Sequence, residues 1–113
     1  MSENLETGEV PTGNVIVIVA KTALFSAGQL HITAGAKYAL QKANTSFFSL
    51  LDRHLKGDWG DLDRGDKKMN DAAVKSGDDR IFSAYILAAT GETIWIITEA
   101  DRSVTTALLP DEY

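Results

Sequence analysis

With 113 residues, the chain has room for one domain and a core of its own, and with no cysteine it excludes disulfides and thiolate zinc sites. A net charge of −5 weighs against a nonspecific nucleic-acid binder, because phosphate contacts need a basic surface, and it suits a basic partner. The first residues carry acids and no base, and the apolar run after them is far too short to span a bilayer. The expectation is a cytoplasmic protein without a membrane partner.

Residues 1–13 are polar and include Gly8, Pro11 and Gly13; they are expected to be a flexible lead-in to a single domain over residues 14–113. Val15-Ile16-Val17-Ile18-Val19 is a β-branched run that resists helix and predicts a strand buried on both faces. Ser26-Ala27-Gly28 reads as a turn, and Gln29–Thr33 alternates as a second short strand, making an N-terminal hairpin. Thr33 is placed to cap a helix over Ala34–Ala43, and Ser46 to cap the next. In that second helix Phe47, Phe48, Leu50, Leu51 and Leu55 recur at helical spacing, with Asp52, Arg53 and Lys56 opposite. Gly57 stops it.

Gly57-Asp58-Trp59-Gly60-Asp61 predicts a compact turn around a large aromatic. Asp61 or Asp63 then caps a third, thinly apolar helix that ends near Ser76 at Gly77. Three strands follow at Arg80–Ala88, Thr93–Glu99 and Ser103–Leu109. Short connections favour antiparallel neighbours, the first through Ala89-Thr90-Gly91-Glu92. The predicted class is α+β: a mostly antiparallel sheet, built from the N-terminal hairpin and a C-terminal three-stranded meander, with about three helices packed on one face.

Several polar residues are candidates for function. His54, read as lying on the polar edge of the Phe/Leu helix, has the chemistry of a general acid or base near neutral pH. It also fits a partly exposed histidine at a helix C-terminus. Trp59 is either a binding platform or the anchor of its turn. Asp58, Asp61, Asp63 and Asp66 form an acidic cluster, but the glycine and closing glutamate of a calcium loop are missing, so no metal and no cofactor is expected. Glu99, Asp101 and Arg102, with Thr105 and Thr106 beyond, crowd one hairpin end. An arginine there has the fork that holds a phosphate or carboxylate. His31 reads as structural.

Two resemblances follow from these residues. Arg53-His54, Gly57-Asp58-Trp59-Gly60-Asp61, Asn70 and Ser83-Ala84-Tyr85 belong to a longer pattern. It continues through the run from Trp95-Ile96-Ile97-Thr98-Glu99-Ala100-Asp101-Arg102 to Thr106 and ends on Leu108-Leu109-Pro110-Asp111-Glu112-Tyr113. The pattern resembles a small uncharacterised family common on bacterial plasmids, integrative elements and prophages. That resemblance implies an accessory role on a mobile element and carries no activity with it. The order of elements also looks like the barnase/RelE-type ribonucleases. That likeness implies His54 as general acid or base, Arg102 on the scissile phosphate, and Thr105 or Thr106 and Tyr113 as positioning groups, without metal.

The leading expectation is a module that binds a protein partner through Asp58, Trp59, Asp61, Glu99 and Asp101. The alternative is a ribonuclease or toxin using His54, Arg102, Thr105 and Tyr113, with RNA as partner only in that case. The two separate on whether His54, Trp59, Arg102 and Tyr113 converge on one concave surface.

Overall fold

The structure, a computed structural model, describes residues 23–113, so the expected lead-in and the strand at Val15–Ala20 lie outside the described residues. In chain order the elements are β1 (Gln29–Ile32), α1 (Ala34–Lys42), α2 (Phe47–Leu55), α3 (Arg64–Ser76), β2 (Ile81–Ile86), β3 (Thr93–Thr98) and β4 (Val104–Leu108), followed by a 3-10 turn at Pro110–Glu112. The class is α+β, as expected. No helix among the described residues is long and apolar enough to cross a membrane.

Local sequence explains the helix ends. The Thr33 hydroxyl accepts from the Ala36 N–H, Ser46 from Phe48, and the Asp63 carboxylate from Asp66, each satisfying an N–H that has no partner within its helix. α3 stops at Gly77, whose φ of 75° suits a glycine C-terminal cap.

β2, β3 and β4 form the antiparallel meander. The hairpin expected for β1 has its other strand outside the described residues; among these β1 pairs in parallel with β4, an addition to the expected meander, and the strand order is β1-β4-β3-β2. A parallel partner needs a long connection, and everything from α1 to β3 supplies it. Gly28 (φ 65°) makes the approach to β4 workable: a Cβ there would lie 2.4 Å from the backbone of Arg102 and Ser103.

Register divides the sheet into two unlike faces. Leu30 and Ile32, Ile81, Ser83 and Tyr85, Ile94, Ile96 and Thr98, and Thr105 and Ala107 share one face. Against it pack Ala36, Ala39 and Leu40 of α1 and Phe47, Leu50, Leu51 and Leu55 of α2. Each such leucine or isoleucine removed from water contributes about 1.5–3 kcal/mol, so this layer is the main source of stability. The other face carries Phe82 and Ile86, Thr93 and Trp95, Thr106 and His31, half-buried or exposed, around the buried Ala84, Ile97 and Leu108. α3 does not join α1 and α2 over the core. It lies along the outer edge of β2, where Asn70 bonds the backbone of Phe82.

Candidate functional site

His54 lies in the core with no exposed surface, which corrects its expected place on a polar edge. The reason is in the spacing: position 54 is two helical turns beyond Phe47 and one beyond Leu50, on the buried stripe of α2. Nδ1 is 2.6 Å from the Ser83 hydroxyl and Nε2 is 2.9 Å from that of Thr98. Thr98 is in turn 2.7 Å from the Thr105 hydroxyl, which donates to the carbonyl of Ala27 at 2.7 Å.

That last bond sets the direction of all the others. Thr105 has one hydroxyl hydrogen and gives it to Ala27, so Thr98 must donate to Thr105. Thr98 then accepts from His54, which makes Nε2 the protonated nitrogen, and Nδ1 accepts from Ser83. Burial pushes the His54 pKa down to about 3. Phe25 and Trp59 meet the ring edge-on at 5.3 and 5.9 Å between centroids. The imidazole is thus a neutral cross-brace joining α2 to three strands and to the turn before β1.

Arg102 is equally committed. It adopts φ 62°, unusual for a residue with a side chain. Its guanidinium donates to the carbonyls of Asp79 (2.6 Å), Ala100 (3.0 Å), Glu99 (3.3 Å) and Ala73 (3.0 Å). Ala73 lies in the last turn of α3 and its carbonyl already accepts from Gly77, so Arg102 adds a cationic donor at that helix C-terminus while pinning the β3–β4 turn to it. The guanidinium also sits 5.7 Å from the centroid of Phe25. In the same turn, Asp101 accepts from the backbone N–H and the hydroxyl of Ser103, and the hydroxyl bond holds its carboxyl below the usual range. Glu99 is exposed and pairs through its backbone with Val104.

The Gly57–Asp61 turn has a structural logic of its own. β2 is an edge strand, and the backbone groups of Phe82, Ala84 and Ile86 face outward from the sheet. Ala84 is met on both sides, its N–H donating to Trp59 and its carbonyl accepting from Asp61 at 2.6 Å. The Asp61 carboxylate accepts from Ile86 at 3.0 Å, and the Asn70 amide closes both groups of Phe82 at 2.6 and 3.1 Å. Gly60 takes φ 77°, and a Cβ there would lie 2.0 Å from the Ala84 carbonyl oxygen, so the position calls for glycine on both counts. Trp59 is buried, its indole N–H donating to Asp71 at 3.0 Å. Asp58 takes a two-pronged contact from Arg53 at 2.7 and 3.3 Å, and that bond lowers its pKa while raising that of Arg53. Arg53 in turn lies 4.6 Å over the ring of Tyr85, whose hydroxyl donates to the Asp58 carbonyl at 2.7 Å. Burial raises the Tyr85 phenol pKa.

Three of the four residues asked to converge therefore do meet. His54, Trp59 and Arg102 all touch Phe25, but they form a packed shell inside the protein rather than the wall of a cleft. Tyr113 stands apart. It is exposed on the open face, edge-on to Trp95 at 5.8 Å, with its hydroxyl accepting from Arg80. Thr105 is buried in the hydroxyl chain, and Thr106 points to the open face.

Among the described residues, one concavity of about 490 Å³ lies at α1 and α2, lined by Lys37, Gln41, Asn44 and Phe48 among others, and another lies on the open face. A groove of about 480 Å³ runs between Phe82, Ile86, Thr93 and Trp95 on the sheet and Asp61, Leu62, Asp63 and Asp66 at the start of α3. Phe82 and Trp95 meet edge to face at 4.9 Å and form its floor. Asp63 is held by its cap bond and Asp61 by Ile86, while the Asp66 carboxylate makes no bond to any described residue. Sequence reasoning gave Phe82 and Trp95 no functional part. Their signal was alternation: two large aromatics on the strand face opposite Ile94 and Ile96.

Among the described residues, no three His, Asp or Glu side chains are grouped to hold a metal ion. No family model, curated protein or solved structure matches the chain.

Proposed function

We propose that this protein is a binding module that holds a protein partner on the open face of its sheet. In this reading it is an accessory protein of a bacterial mobile element, working in the cytoplasm. The observation that carries the binding role is the division of labour between the faces. The residues with catalytic chemistry are consumed inside the fold, and the groove floored by Phe82 and Trp95 joins an aromatic floor to a carboxylate, that of Asp66, with no bond to any described residue. The mobile-element setting rests on the sequence pattern that ends at Tyr113.

The ribonuclease reading needs a base and a cation within reach of one phosphate. His54 and Thr105 have no solvent exposure, and Arg102 already serves four carbonyls. A groove lined by three carboxylates repels RNA.

Photo-crosslinking in cells tests the proposal. A photoreactive residue at the exposed Ile86, beside the groove, is expected to yield a discrete protein adduct, and one at the exposed Tyr38 on α1 is expected to yield none. An adduct destroyed by nuclease, or RNA cleavage by the purified protein that is lost in His54→Gln, would sink it.

A further inference from the structure

Deepening that reading, and resting on it, we infer that the groove receives a cationic side chain, a lysine or arginine of the partner, laid on the Phe82–Trp95 floor and held by Asp66. Charge complementarity is the first support. Three carboxylates rim an aromatic floor in a chain whose net charge is −5, and Asp66 is the one left without a bond to any described residue. A guanidinium or ammonium over an aromatic ring is attracted by its negative face, and more strongly where water is partly excluded.

The second support is that the protein builds the same arrangement with an arginine of its own. Arg53 lies 4.6 Å over Tyr85 while its fork holds Asp58. The groove repeats the Arg53 site, an aromatic surface beside a carboxylate, with no arginine of its own in it. The plugged edge of β2 supports the same mode of approach. Asn70, Trp59 and Asp61 occupy its outward backbone groups, so a partner cannot add a strand there and must engage side chains from the face.

The test is an NMR titration of the full chain with tri-arginine, tri-lysine and the neutral isostere tri-citrulline. The cationic peptides are expected to shift the Trp95 indole N–H and the amides of Ile86 and Asp66, saturably and more weakly as salt rises. Tri-citrulline is expected to leave them in place. Asp66→Asn, at an exposed position that leaves the fold intact, is expected to weaken the cationic peptides about tenfold, equivalent to about 1.4 kcal/mol. Equal shifts from tri-citrulline, shifts centred elsewhere on the acidic surface, unchanged affinity in Asp66→Asn, or no shift at all would each overturn the inference. The failures are distinguishable: an Ile86 protein adduct with no peptide response removes the cation and leaves the binding module standing.

Discussion

The two faces of one sheet treat polar chemistry in opposite ways. On the helix-covered face, Ser83, His54, Thr98, Thr105 and Ala27 form a chain in which every hydrogen has one acceptor and none is left over. One residue along each strand, on the other face, Phe82 and Trp95 remain partly open beside a carboxylate with nothing to hold. Residue type alone therefore misleads. A histidine with two hydroxyls resembles a catalytic set, yet here it is cross-linking, and a groove on the opposite face has a floor made of residues that resemble core.

The contrast breaks first at His54. His54→Ala should cost about 3–5 kcal/mol, combining a core cavity with unsatisfied hydroxyls at Ser83 and Thr98. Urea denaturation followed by tryptophan fluorescence measures it, and a loss under 1 kcal/mol would mean the brace is dispensable. Arg102→Ala should cost about 2–3 kcal/mol through the carbonyls it abandons. Arg102→Gly should cost about 1 kcal/mol less, because glycine accepts φ 62° without strain. Equal losses in the two variants would show that the turn relaxes.

Acid should act on the closed face next. Unfolded His54 takes a proton near 6.5, while in the fold it does so only near 3. Between those values the unfolded chain holds the extra proton. Stability is therefore complete above the unfolded value and falls with decreasing pH, by up to about 1.4 kcal/mol per unit. Going from pH 7 to 5 should remove about 2 kcal/mol, read as a drop in urea midpoint. A flat profile over that range would contradict a neutral buried imidazole. The smallest effect belongs to the open face. Asp66→Asn should change stability by about 0.5 kcal/mol, through the lost charge in the first turn of α3, while altering what the groove holds.

Some of this was readable in advance and some was not, for reasons of distance along the chain. Thr33, Ser46 and Gly77 announce helix ends because their partners are a few residues away. Alternation likewise separated Ile94 and Ile96 from Trp95. The seven-residue step from Phe47 to His54 was present too, but a polar residue on an apolar stripe is legible only with its partners, and Ser83 and Thr98 are 29 and 44 positions away. Arg102 was recognised as a fork, yet its acceptors are backbone carbonyls, which every residue has and no sequence displays. The β1–β4 pairing and the plugging of β2 by the Gly57–Asp61 turn have the same non-local character.

The parallel pairing of β1 has a consequence for the newborn chain. Thr105, which locks β4 to the turn before β1, is 78 residues beyond Ala27. At about 5–20 residues per second, a ribosome needs roughly 4–15 s to cover that stretch. Through that interval Leu30 and Ile32 lack the β4 partner they have among the described residues, while α1 and α2 have been made and can shelter them. The last described strand is the one the first described strand waits for, so a ribosome stalled before Val104 leaves this sheet incomplete.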